Sequence, residues 1–273
     1  MTTEALDAIR ERAAALLAAQ PWVEVASRGL LVLVRPPATP WANTSTISAA
    51  WLILDGVEAR ALPPEFRGPV VRDGALRLPA SAADGLELAV MTSEGVGRAL
   101  DGVTRRSLEM RWMLRHSVPL HDPLHRHDSL VGAAGRLPED ALERAVRPLY
   151  VQAAAALGAL TTGVPSIASA TSAFLLLGEA AGALTRLACV LDDGSHPPPE
   201  WLAPAARETR LGKRIAPWLD DLGPAAGGDD RAAGWIREAS MGVLREAASV
   251  LQVEFAGRDW FTDPESYALR TPR

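Results

Sequence analysis

Two short runs, Leu30-Leu31-Val32-Leu33-Val34 and Trp51-Leu52-Ile53-Leu54, contain no polar side chain. A strand with one wet face alternates apolar and polar residues, whereas an unbroken apolar run reads as a strand covered on both faces. Such strands need helices on each side of their sheet. Further strand-like runs fall at Val23–Ala26, Pro69–Arg72 and Leu86–Met91, punctuated by Gly, Pro and Asp. Residues 4–19 supply one covering helix: Leu6, Ile9, Ala13, Leu16 and Leu17 form a stripe at helical spacing, and Thr3 is placed to cap it.

After Met91 the period changes. Ser93 is a candidate cap, and helical spacing governs 93–100, 104–114, 138–162, 166–191, 198–206 and 230–253. Gly194 in Asp192-Asp193-Gly194-Ser195 suits a left-handed helix stop, and Gly223–Asp230 reads as a turn. Strands first and helices later give an α+β protein: a small mixed-sheet domain over residues 1–103 and a helical bundle domain over 104–273.

Composition narrows the function classes. With 48% apolar residues the 273-residue chain can build a core. A net charge of −5 is not that of a nucleic-acid-binding surface. Lys213 is the single lysine among 28 basic residues, so local arginine clusters are the available anion clamps. Cys189 is the only cysteine, which excludes an internal disulfide or multi-cysteine zinc site, and its neighbours Thr-Arg-Leu-Ala and Val-Leu read as a helix interior. The start Met-Thr-Thr-Glu-Ala-Leu-Asp lacks a signal-peptide layout, so a cytoplasmic location is expected. The stretch from Pro148 to Gly178 is uncharged but broken by Gln152, Gly163, Pro165 and several Ser and Thr residues. It therefore reads as two buried helices and no membrane span.

Two segments resemble a known family. Trp112-Met113-Leu114-Arg115-His116-Ser117-Val118-Pro119-Leu120-His121-Asp122-Pro123 is similar to an "LRH…V.LYDP" segment of the aminoglycoside- and lincosamide-type nucleotidyltransferases. Gly178–Leu191, followed by Pro197–Leu202, resembles their "EAL..LLFALNG…P..KWL" segment. The order of helix, strand, loop, strand, strand and helical bundle agrees. The resemblance implies a nucleotidyltransferase-like fold with a cleft between its two domains. The family's chemistry uses a Gly-Ser loop to hold a triphosphate, an Asp-x-Asp pair on a buried strand and a third carboxylate on a later one. Magnesium bridging phosphates demands hard anionic oxygens, and spacing of two puts both aspartates on one strand face.

Here that alignment places Thr46 and Ser48 where the aspartates belong, Arg35 near the eroded Gly-Ser loop, and Glu87 at the third acid. A hydroxyl is a weak neutral ligand, so no metal and no cofactor is expected. Glu87 also reads as an exposed residue of an alternating strand, and a shifted alignment would recruit Asp55. The resemblance puts Arg111, Arg115 and His116 on a helix beside the cleft: the arginines to hold an anionic or polar ligand, His116 with Glu87 to move a proton near neutral pH. Trp51, with Trp41, suits an aromatic pocket wall or simply the core. His116, His121, His125 and His127 crowd one segment, but Pro123 breaks the helical spacing of 121 and 125, leaving solvated loop histidines as the plain reading. No Gly-rich phosphate loop, nucleophile elbow or serine-histidine-acid spacing is present.

The expectation is a repurposed fold that binds a small molecule between its domains and carries out metal-independent acid/base chemistry in specialised metabolism. The alternatives are a working magnesium-dependent nucleotidyltransferase acting on a small molecule such as an antibiotic, and a non-catalytic interaction module.

Overall fold

The computed structural model describes residues 3–34, 48–62, 76–77, 86–135, 137–161, 170–226 and 230–262. They form two compact units, Met1–Gly135 and Arg136–Arg273.

The first unit carries α1 (Thr3–Ala18), α2 (Val23–Ala26), β1 (Leu30–Leu33), β2 (Ser48–Leu54), α3 (Gly56–Ala61), β3 (Leu76–Arg77), β4 (Leu86–Thr92), α4 (Ser93–Leu100), α5 (Arg105–Arg115), β5 (Val118–His121) and α6 (His127–Ala133). The five strands lie in the order β3-β4-β2-β1-β5. β2 and β4 run parallel, and the other pairs are antiparallel. Both faces of the sheet are covered, as the two apolar runs require. Leu31, Ala50, Leu52, Leu54, Leu88 and Val90 pack with Ala13 and Leu17 of α1, with Val25 of α2 and with Ala59 of α3. The alternate residues Leu30, Val32, Trp51, Ile53, Ala89 and Met91 pack with Val96 and Leu100 of α4 and with Met110 and Leu114 of α5.

Val23–Ala26 is a helical turn and not a strand: the amides of Val25 and Ala26 both bond back to Trp22 O, at 3.0 and 2.9 Å. Val25 instead packs its side chain into the core beneath the sheet with Leu31, Leu52 and Leu54. Helix α4 is capped one residue earlier than Ser93, by Thr92, whose hydroxyl accepts from the Gly95 amide at 3.0 Å. Strand β5 contains Pro119, which is tolerated because β5 is an edge strand. The run Pro69–Arg72 lies outside the described residues.

The boundary between units falls at 135/136 and not at 103/104. Helix α5 buries Met110 and Leu114 against the sheet, and β5 extends that sheet, so 104–135 belongs with the strands.

The second unit is helical: α7 (Glu139–Thr161), α8 (Ala170–Asp193), α9 (Pro199–Glu208), α10 (Arg210–Ala226) and α11 (Asp230–Glu254). Leu157, Leu184, Leu187 and Trp218 are fully buried. Helix α10 is absent from the sequence reading because Gly212, Pro217, Gly223 and Pro224 look like breakers. Its buried stripe Leu211, Ile215, Trp218 and Leu219 overrides them, and Gly223–Ala226 lies within it rather than in a turn. Among the described residues one segment, Thr171–Asp193, is long and apolar enough to cross a membrane by length and composition, and half of its most apolar window is buried within the protein.

Candidate functional site

The strand register brings one set of chain segments together at a single end of the sheet. Leu33, the last residue of β1, pairs with Ala50 of β2 and with Val118, the first residue of β5. The Val34 amide donates to Ala49 O at 3.0 Å. Ser48 and Ala49 of β2 pair with Leu86 and Glu87 of β4. His116 and Ser117 immediately precede β5. The ends of four strands and the C-terminus of α5 therefore share this edge, which gathers Ser48, Glu87 and His116. Arg35 and Thr46 lie outside the described residues.

The register also sets Ser48 and Glu87 one row out of step: Ser48 is opposite Leu86, and Glu87 is opposite Ala49. No carboxylate occurs between Ser48 and Leu54, and β4 supplies Glu87 alone. These donors do not fit a magnesium site of the two-aspartate kind. Asp55 cannot complete one. It follows the far end of β2, ~20 Å along a seven-residue strand from Ser48. There it accepts from Ser93 Oγ at 2.6 Å and from Arg126 Nη1 at 3.1 Å. Among the described residues, no group of three or more His, Cys, Asp and Glu side chains is arranged to hold a metal ion.

His116 ends α5 with its ring stacked on Trp112, centroids 4.3 Å apart and planes inclined by 29°. Its Nδ1 lies 2.8 Å from Trp112 O, the carbonyl that also accepts the His116 backbone amide at 3.2 Å. A carbonyl only accepts, so Nδ1 carries a proton and donates, and in the neutral ring the lone pair is then on Nε2. That is the tautomer of a proton acceptor.

Arg111 is committed to the fold. It is only 6% exposed, and its guanidinium donates to Gly135 O at 3.2 Å, to Ala133 O at 3.4 Å and to Leu100 O. These carbonyls close α4 and α6, whose negative dipole ends favour a cation. Burial lowers the Arg111 pKa, and Asp101 opposes the shift. Trp51 packs in the core of the described residues, 7% exposed among Val32, Ile53 and Ala89. Arg115 is half-buried in the last turn of α5.

The histidine segment is built, not loose. His121 Nε2 is 2.7 Å from Ala26 O, and His127 Nε2 is 3.0 Å from Ser117 Oγ. Only His125 is exposed, at a positive φ of 53°. Asp122 organises the turn by accepting from the amides of Arg126 and His127, each at 2.9 Å. Partial burial raises its pKa, but those two amides, with His125 and His127, outweigh this and leave it below the ordinary carboxylate value. Arg126 then ties the segment to the sheet, donating to Arg28 O, to Ile53 O at 3.4 Å and to Asp55. The Asp-Pro pair before a helix is the sequence signal for the turn that Asp122 organises; nothing in the sequence pairs Arg126 with Asp55.

The second unit has an open cavity of about 530 Å³ lined by Glu139, Asp140, Glu143, Arg144, Arg147 and Arg258. Its charges largely satisfy one another: Arg144 meets Asp140 at 3.3 Å and Arg258 meets Glu143 at 3.7 Å. Cys189 is buried, and burial pushes its thiol pKa up, the opposite of a nucleophile's setting.

No protein-family model and no curated protein matches this sequence. Its fold is similar to a crystal structure of a nucleotidyltransferase-like protein from Exiguobacterium sibiricum 255-15. That likeness has a TM-score of 0.46 at 13% identity, over 97% of this chain and 81% of the other.

Proposed function

We propose that this protein is a nucleotidyltransferase-like fold that has lost its metal-binding acids and binds a small polar molecule at the strand-end edge of its first unit. His116 Nε2 takes a proton from the bound molecule there, with no metal required. The observation that carries this reading is the placement of His116, its tautomer fixed by Trp112 O, at the edge where β1 ends and β2, β4 and β5 begin. A neutral imidazole held in one tautomer is suited to general-base work near neutral pH. Glu87 and Ser48 stand at the same edge, and Arg115 is the cation adjoining His116 in sequence. Arg35 and Thr46 complete the set by sequence alone. Trp51 and Arg111 leave it, since the core and three main-chain carbonyls occupy them.

Without a pair of aspartates, magnesium and a triphosphate have no paired anchor. Titration calorimetry with adenosine triphosphate and with guanosine triphosphate, each with and without magnesium, is expected to show no magnesium-dependent heat. Micromolar, magnesium-dependent binding of either would refute the proposal and favour a working nucleotidyltransferase.

A further inference from the structure

We infer that His127 is a positioning residue for His116, acting through Ser117; the inference rests on the reading of His116 as the proton-handling group. The connection is a chain of hydrogen bonds at the α5–β5 junction. The Ser117 hydroxyl has one proton and donates it to Leu114 O at 2.7 Å. Its oxygen, 3.0 Å from His127 Nε2, therefore accepts from that nitrogen. The Ser117 amide donates to the same Leu114 carbonyl at 3.1 Å. One residue earlier, Trp112 O takes both the His116 amide and His116 Nδ1–H.

The last turn of α5, which aims the His116 ring, is thus held by a hydroxyl that His127 in turn holds. The far end of the chain is fixed as well. The His127 amide donates to Asp122 Oδ2 at 2.9 Å, and the neighbouring Arg126 is bonded to Asp55 at the opposite end of β2. The His127 side chain is only 13% exposed, and a solvated loop histidine would need none of these contacts. The geometry does not favour a serine nucleophile, because the Ser117 proton is already given to a helix carbonyl and its oxygen is buried.

The test reads the imidazole of His116 directly. Long-range ¹H–¹⁵N correlation spectra of ¹⁵N-labelled protein separate the two ring nitrogens, and five histidines make assignment tractable. In the wild-type protein His116 is expected as the Nδ1–H tautomer, with widely split nitrogen shifts. In Ser117→Ala and in His127→Phe the two shifts should converge as both tautomers become populated. His127→Gln, whose amide can donate to Ser117 Oγ, should restore the splitting. Circular dichroism verifies that each variant is folded, and His127→Asn, polar but too short to reach Ser117, replaces His127→Phe if that variant is not.

Unchanged His116 shifts in folded Ser117→Ala and in the folded His127 variant would overturn the inference, as would a mixed tautomer in the wild-type protein. The readout needs no ligand. A normal response in these spectra combined with a ligand-binding protein indifferent to His116→Ala would remove the catalytic reading while leaving the positioning role intact.

Discussion

Replacing Arg111 tests whether its guanidinium serves the fold or a ligand. Its three carbonyl acceptors lie at the ends of α4 and α6, and the side chain is nearly inaccessible. A hydrogen bond to a charged group contributes ~1.5–3 kcal/mol. The sum is reduced because burying the cation is itself costly and because the half-buried Gly135 carbonyl can recover water. Arg111→Ala should therefore destabilise the first unit by ~3–5 kcal/mol, the range for breaking a buried charged contact. Arg111→Lys should cost ~1–3 kcal/mol, since a compact ammonium cannot span three acceptors that a planar fork reaches. With a urea slope of ~2 kcal/mol per molar, the alanine variant's midpoint should fall by ~1.5–2.5 M. Urea titration followed by far-UV circular dichroism is the assay. A midpoint within ~0.5 M of wild type would refute the carbonyl-clamp reasoning. If that variant also lost ligand binding, Arg111 would return to the site.

Asp122→Asn should lower stability at pH 7 by ~1 kcal/mol, because both carboxylate oxygens accept an amide and an asparagine has only one acceptor oxygen. Because the folded-state pKa of Asp122 is depressed, the wild-type advantage is present above the unfolded value of about 3.9. It should disappear as pH falls through the lower folded value, which paired urea titrations across that range would show. Tyr150 donates to Phe261 O at 3.0 Å, and burial pushes its pKa up to about 12. Ultraviolet titration should show one of the two tyrosines ionising near pH 12, and stability should decline above the unfolded value of about 10 as the buried phenol resists ionisation. A Cβ on Gly212 would sit 1.7 Å from Ala206 O, so Gly212→Ala must force α9 and α10 apart. A loss of ~2–4 kcal/mol is expected in thermal or urea unfolding, and a neutral substitution would show that the close approach does not exist.

The sequence by itself determined the strongly periodic parts. The unbroken runs at 30–34 and 51–54 read as strands covered on both faces, and the segments of α1, α7, α8 and α11 as helices, because a local pattern of burial is written into the order of apolar residues. The absence of paired acids near β2 was equally legible, since it is a matter of residue identity. Where local signals conflicted with packing, the tertiary structure decided. Pro217 and Gly223 did not break α10 once Leu211, Ile215 and Trp218 had a core to fill, and Pro119 did not prevent β5 once β1 offered an edge. The site depended most on tertiary structure. The register between β2 and β4 is set by pairing across 38 positions, which no single strand encodes, and it put Ser48 and Glu87 out of step. Arg111 looked like a free anion clamp until two helix ends closed on it, and His127 looked like a loop histidine until the turn at Asp122 folded it against Ser117. Residue type states what a side chain can do; long-range contacts decide whether that capacity is spent on the protein itself.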